Sequence, residues 1–300
     1  MTIPTGSFLE EEDSVYHAHA KEGRAISASA LKVFRQSPRD YQAKYKTYEV
    51  KHAESPALVL GRAAHALILE GTKKFESEFV VIEDLDPELG FINKRTGEVY
   101  GENTKAWRAA KASLDEVRPG LQLLSKAQWE QCQGMAQAVR ENPVASKQLE
   151  TGQPEKVFRQ QCNNEPFARQ CKVDWVGEWG QGGTILVDLK TTEDLRSFKS
   201  RALKFGYPEQ LAFYRDLFTK TVPNSCGCGI PVLLVAVEKH PPYKVGCWNF
   251  QSSDLSRIQQ ENEHHIRELS RIWNMEGNWP TGYEKVRSFF AEEEFSNGHI

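Results

Sequence analysis

The spacing of apolar residues changes character near residue 155. Before that point it follows a helical period of about 3.6; after it, short apolar or alternating runs dominate. In ISASALKVFRQSPRDYQAKYK, Ala30, Leu31, Phe34, Tyr41 and Tyr45 recur at helical spacing, and Ser27 or Ser29 supplies the N-cap. Pro38 divides this stretch into two short helices. PALVLGRAAHALILEG predicts a helix that opens at Pro56, carries His65 in its middle and stops at Gly71. A strand follows near 77–82, then a loop over 84–102. Helices are expected over 103–117, 125–141 and 143–150, the last with Pro143 in its first turn.

Beyond residue 155, EKVFRQQC and FARQCKVDWVGEW read as strands joined by the turn NNEP. QGGT then leads into the strand TILVDLKTT. EDLRSFKSRALKFG, closed by Gly206, and YPEQLAFYRDLFTK predict two helices. IPVLLVAVEK and PYKVGCWNF predict two more strands, and a final helix covers roughly 252–275. This order predicts an α/β (mixed α+β) fold, with a central mixed sheet flanked by helices. Residues 1–25 are polar and charged and read as a flexible leader. Residues 26–300 read as a single domain, with a helical part over about 26–150 and a core over about 151–275. No internal repeat or low-complexity tract interrupts it.

Composition narrows the function classes. The 300 residues are 39% hydrophobic and 26% charged, ordinary for a globular protein. With 38 basic and 41 acidic side chains the net charge is −3, which excludes a generally basic nucleic-acid coat but leaves room for a local basic groove. The cysteines Cys132, Cys162, Cys171, Cys226, Cys228 and Cys247 contain no CxxC pair, so reduced thiols are expected. The acidic N-terminus lacks a signal-peptide core, and the apolar run 230–237 is too short to span a bilayer. A cytoplasmic protein that does not engage membranes is expected.

The candidate chemistry lies in the strand cluster. Asp174 stands on one predicted strand, and Asp188 and Lys190 stand on the next. Residues two apart on a strand share a face, so Asp188 and Lys190 project together with Leu189 opposite. Asp188 follows Ile185, Leu186 and Val187, where the strand should leave the interior. Two hard carboxylates suit Mg²⁺, with Mn²⁺ able to substitute, and such an ion both binds phosphate and activates water. A lysine beside them can orient that water or offset charge in the transition state. By itself, a DxK on a strand is more often a surface ion pair.

CKVDWV, ILVDLKTT and YPEQLAFY in this order resemble the PD-(D/E)XK nuclease superfamily, and within it the RecE-like exonucleases (exodeoxyribonuclease VIII type). ISASALKVFRQSPRDY, GRAAHALILE, NKRTGEVYGENTKAW and VAVEKHPPYKV extend the resemblance over residues 26–275. It implies a restriction-endonuclease-like core with an N-terminal helical elaboration. It implies Asp174 and Asp188 as metal-binding carboxylates, Lys190 as the catalytic lysine and His65 as a further metal ligand. Gln210 would contact the lysine, the water or a phosphate, and Tyr214, four residues on along the same helix face, would support it. Glu155 resembles an acidic position near the metal in related nucleases; without the resemblance His65 reads as a helix histidine packed beside Leu69, and Tyr214 could serve both in the core and at the site. The resemblance also implies cleavage of double-stranded DNA from 5′ ends in recombination or repair, a ring-shaped homo-oligomer and a strand-annealing recombinase partner. Some related nucleases hold an iron–sulfur cluster with cysteines. Here Ser37 precedes Pro38 where the first of these would stand, so no cluster is expected.

Phosphate contacts are expected from Ser27 and Ser29 at a helix start, from Thr191 and Thr192 after the lysine, and from Lys199, Arg201 and Lys204. Arg35, Arg39, Lys44 and Lys46 form a second basic cluster. For each cluster a solvated helix face is the plainer reading. Competing readings are an endonuclease or single-strand or flap nuclease on the same fold, and a non-catalytic DNA- or protein-binding module. A nucleotide enzyme on a doubly wound sheet lacks its glycine-rich loop, since GQGGT precedes a strand rather than a helix.

Overall fold

The computed structural model of the chain describes residues 3–50, 56–180, 182–223, 225 and 229–284. Among them the central sheet has seven strands in the order β1-β5-β6-β7-β8-β9, with β2 attached to β6 beside the path. The strands are β1 (Gly6–Leu9), β2 (Ala25–Ile26), β5 (Gly152–Gln161), β6 (Ala168–Trp179), β7 (Gly183–Thr192), β8 (Val232–Glu238) and β9 (Val245–Asn249). Two short strands, β3 (Phe79–Val81) and β4 (Gln122–Leu124), form a separate parallel pair. The central sheet is mostly antiparallel; the parallel pairs are β2–β6 and β7–β8. The latter is bridged by α9 (Phe198–Phe205) and α10 (Tyr207–Thr221), the helical crossover that parallel neighbours need.

Helices cover both faces. One core gathers α2 (Ala28–Gln36), α3 (Pro38–Tyr45), α10 and α11 (Ser252–Ile272) around Phe158, Leu186, Phe213 and Leu234. The opposite core gathers α4 (Pro56–His65) and α7 (Lys126–Glu141) around Val187, Leu189 and Val235, with α8 (Pro143–Gln148) at its margin. A satellite cluster of Ile82, Phe91, Ala110 and Leu114 lies under α6 (Lys105–Val117). This is the expected mixed α/β architecture, a restriction-endonuclease-like sheet flanked by helices. Alternation sorts β7: Leu186 enters the first core while Val187 and Leu189 enter the second, as a period of two requires.

Local chemistry sets the boundaries. Ser27, not Ser29, caps α2 by accepting from the Ala30 N–H at 3.3 Å. Ser37 caps α3 with Pro38 at its first position, so the proline separates two helices as expected. Residues 193–197 do not join α9. The Leu195 N–H donates to Glu238 and the Asp194 carboxylate accepts from the Arg196 N–H, which closes a turn instead.

The leader differs most from expectation. Residues 6–9 form β1 on the edge of β5, and α1 (Asp13–Lys21) follows with Tyr16 and His19 buried. Composition suggested disorder, but these charges have partners. Arg159 on β5 is fully buried, and its guanidinium donates to Glu11 at 3.0 and 2.5 Å, to the Pro4 carbonyl and to Gln170. Phe8 packs edge-on against Phe158 at 5.1 Å. No helix among the described residues is long and apolar enough to cross a membrane. Cys132, Cys162, Cys171 and Cys247 are unpaired thiols; Cys226 and Cys228 lie outside the described residues.

Candidate active site at a fork in the sheet

Strand β6 changes neighbours along its length. Its C-terminal half pairs with β7, from Trp179–Gly183 to Trp175–Val187, whereas its first residues pair with β2. The strands β6 and β7 therefore part just beyond Trp175 and Val187. The next step of that ladder would set Asp174 opposite Asp188. Instead the Asp174 carboxylate accepts the Leu189 N–H at 2.8 Å, replacing a backbone partner in the opening fork. β7 stays paired with β8 through Thr192, which keeps its parting end rigid.

Three further elements bring side chains to the fork. His65 ends α4, and the chain continues as a π-helical turn over Ala66–Glu70, a loosened winding common at functional sites. Its Nδ1 lies 3.7 Å from Asp174 Oδ2. Glu155 lies between the pairs Pro154–Trp175 and Lys156–Val173 of the β5–β6 ladder, at φ 53. A left-handed backbone at a non-glycine residue costs on the order of 1–3 kcal/mol and is held by its surroundings. Donor atoms of His65, Glu155 and Asp174 all lie within 4.8 Å of one another. One imidazole and two carboxylates at that spacing fit a divalent cation.

Asp188 and Lys190 share a face of β7, with Leu189 on the other. Asp188 is only 1% exposed, so the strand does not leave the interior where the sequence suggested. Its carboxylate meets the Lys190 ammonium at 2.5 Å, and beyond that ion pair neither oxygen accepts a hydrogen bond. Asp188 thus stands outside the His65–Glu155–Asp174 set, whereas the sequence reading grouped it with His65 and Asp174; the ammonium of Lys190 holds it back. Lys190 also sits 5.1 Å from the centre of the Tyr207 ring.

Charge at the fork is unbalanced. Burial, reinforced by the Asp174 charge, pushes Glu155 up to about 7 despite Lys172 at 2.5 Å. Burial pushes Asp188 up to about 7 as well; Lys190 opposes this and Asp174 adds to it. Burial depresses the Lys190 ammonium, but Asp188 and Asp174 outweigh it and hold it above the usual lysine range. Burial lowers His65, which favours the neutral imidazole that can ligate a metal. The site is therefore rich in carboxylates and short of positive charge, as a cation site should be.

The fork opens into a cleft of about 910 Å³ lined by Gly61, His65, Glu155, Asp174, Lys190 and Thr191, among others. The leader supplies another part of its wall through Glu10, Glu11, Glu12 and Asp13. Gln210 donates to the Tyr214 hydroxyl at 2.7 Å, and burial raises Tyr214 well above its ordinary range. The expected partnership of these two residues is present, while Gln210 is turned toward Tyr214.

The expected phosphate contacts fare unevenly. Thr191 lines the cleft, but Thr192 is buried and its hydroxyl donates to the Asp194 carbonyl, so strand pairing withdraws it from any ligand. Ser27 is buried as a cap, and neither it nor exposed Ser29 lines the cleft. Lys199 and Lys204 are exposed on α9, and Arg201 is half-buried beside Phe205. The second basic cluster is occupied internally. Arg35 meets Glu209, Arg39 meets Glu49, and Lys44 and Lys46 lie against the rings of Tyr45 and Trp273.

Two residues at the site were not anticipated. Lys172 bridges Glu155 and Asp13, at 2.5 and 2.7 Å. Its position two residues before Asp174 on one strand was the available signal. Tyr207 follows Gly206 directly, and its aromatic contact with Lys190 had no signature in sequence.

A forked sheet that sets one acid against another, with an ammonium two residues after the second, defines a nuclease domain of the PD-(D/E)XK class. Such nucleases generally work with divalent metal ions. Within that class, the chain belongs to the family described as "PDDEXK-like domain of unknown function (DUF3799)", which matches residues 27–290. A crystal structure titled "Putative exonuclease" from Eubacterium rectale shares the fold. Its TM-score is 0.60 at 14% identity, with 97% of this chain and 100% of that chain covered. The crystal structure of SSO0001 is more distant, with a TM-score of 0.36 at 12% identity over 84% of this chain and 81% of that one. No curated protein matches the sequence.

Proposed function

We propose that the protein is a Mg²⁺-dependent exodeoxyribonuclease that hydrolyses double-stranded DNA from its ends, in the 5′ to 3′ direction. One observation carries the reading: His65, Glu155 and Asp174 converge on a cation-sized space next to the Asp188–Lys190 pair. The name of the Eubacterium rectale protein and the RecE-like order of motifs support the exonuclease choice.

The bound ion would be held by His65, Glu155 and Asp174, with Asp188 close by, and would supply phosphate polarisation and activated water. The protein's own groups do the rest. Lys190, held between Asp188 and the Tyr207 ring, places a fixed positive charge where negative charge develops in the transition state. Tyr214 accepts from the Gln210 amide and fixes its orientation on α10. Thr191 offers a hydroxyl to an incoming phosphate. A ring-shaped oligomer and a strand-annealing recombinase partner belong to the same proposal, since an acidic chain retains DNA better by enclosing it.

Linear and circular plasmid incubated with Mg²⁺ test the reading. The expected result is loss of linear DNA alone, abolished in Lys190→Ala. Nicking of the circle would replace the exonuclease reading with an endonuclease one. No cleavage with Mg²⁺ or Mn²⁺ would leave only a binding role.

A further inference from the structure

Phe205 closes α9 and Tyr207 opens α10, and Gly206 joins them at φ 72, in the left-handed region. This turn sets both rings on the wall of the catalytic cleft, with centroids 5.9 Å apart. Their surroundings differ. Tyr207 is half-buried against Lys190, whereas Phe205 keeps 40% of its surface open. A lone exposed aromatic residue needs no explanation. Phe205 is not alone: Lys32 Nζ lies 5.4 Å and the Arg201 guanidinium 5.9 Å from its ring centre, and exposed Lys204 precedes it.

A partly open aromatic plate with two cations over its ring and a lysine beside it matches the chemistry of one nucleotide. The plate takes the uncharged π-face of a base, and the cations take the phosphates on either side. Bases inside a duplex already stack on both neighbours. A base that can lie on Phe205 must be terminal or unpaired. Every base has a π-face, so such a contact holds a strand without reading its sequence.

We propose that Phe205 is a stacking platform for a terminal or unpaired nucleobase of the strand being cut, with Lys32, Arg201 and Lys204 holding its flanking phosphates. The inference rests on the nuclease reading and deepens it: the substrate reaches the fork as a frayed single strand, even when it comes from a duplex. Phe205 touches the substrate but no reacting atom, so its loss should raise KM more than it lowers kcat.

The test uses the full chain and a single-stranded oligonucleotide with 2-aminopurine at its end. Binding is read with Ca²⁺ in place of Mg²⁺ by the anisotropy of a dye on the opposite end, and again with an abasic residue in place of the 2-aminopurine. Phe205→Ala should weaken binding about tenfold, and Phe205→Trp should bind within about twofold of the unaltered protein. The abasic oligonucleotide should bind the unaltered protein and Phe205→Ala equally. Normal binding by Phe205→Ala, or the same loss on the abasic strand, would overturn the platform. Plasmid cleavage separates the two claims. A protein that cuts linear DNA with Phe205→Ala unaffected in KM loses the platform alone. One that stacks the base but cuts nothing loses the nuclease reading alone.

Discussion

Strand β6 carries two clusters of buried charge, and they resolve in opposite ways. Around Arg169 the guanidinium donates to Glu165 at 2.9 Å and to Glu263 at 2.5 and 2.9 Å, and Lys220 adds a contact to Glu263 at 3.1 Å. Burial there would raise Glu263, but Arg169 and Lys220 outweigh it and push the carboxyl down to about 2. Burial raises Asp216, although Lys220 lies 2.7 Å and Arg169 4.0 Å from it. Around Asp174 the same burial wins. Glu155 and Asp188 are pushed up to about 7, although each has a lysine within 2.5 Å. Both clusters set three carboxylates against two cations, so the difference lies in how the cations are shared: Arg169 and Lys220 both donate to Glu263, whereas Lys172 is divided between Glu155 and Asp13 and Lys190 meets Asp188. A carboxylate that two cations hold is structure; carboxylates whose lysines are divided or few have room for a ligand.

The two clusters should respond differently to substitution. The largest expected effect is on turnover. Asp188→Asn should lower the rate of linear-DNA cleavage by about 100- to 1,000-fold with its fold intact by circular dichroism. Full activity there would count against the fork as the reacting centre. At the other cluster, Arg169→Ala strands buried carboxylates and should reduce unfolding free energy in urea by about 3–5 kcal/mol.

A paired test comes next. At pH 8 and without metal, Glu155→Gln should raise Tm by about 2 °C, because it removes a charge the fold resists, whereas Glu263→Gln should lower it. Equal signs would erase the contrast. The pH dependences should differ as well. Glu155 and Asp188 have folded pKa values above their unfolded ones. Their contribution is most favourable below the ordinary carboxyl range and is lost as pH rises through about 7. Mg²⁺ should then raise Tm above pH 7 and do little below pH 6, by about the threshold those carboxyls set. Glu263 is depressed, so its contribution is present above the ordinary carboxyl range and is lost only as pH falls through about 2. The smallest effect is expected at Tyr207→Leu, which removes the ring facing Lys190 and should slow cleavage about threefold.

Much of this was legible in the chain. The period of two over TILVDLKTT placed Leu189 opposite Asp188 and Lys190, and the core on its other side holds Leu189. Pro38, Gly71 and Gly206 marked helix ends that the structure keeps. The fork was not legible. Nothing local in CKVDWV says that β6 meets β2 first and joins β7 only from Trp175, because that choice depends on a strand far away in sequence. Glu155 was named only by resemblance, since its positive φ and its place between ladder pairs are products of packing. The leader was misread for a related reason. Its acidic residues look solvated until Arg159, buried 148 positions further on, is known to face Glu11.

That first strand has a practical bearing. β1 covers the outer rim of β5, and Glu11 neutralises the one arginine sealed beneath it. Trimming the protein back to residue 27, where its family match begins, would uncover a row of unpaired peptide groups and strand a guanidinium in the interior. Such a shortened protein is expected to aggregate during expression, and the failure would reflect lost shielding rather than any defect in the catalytic half.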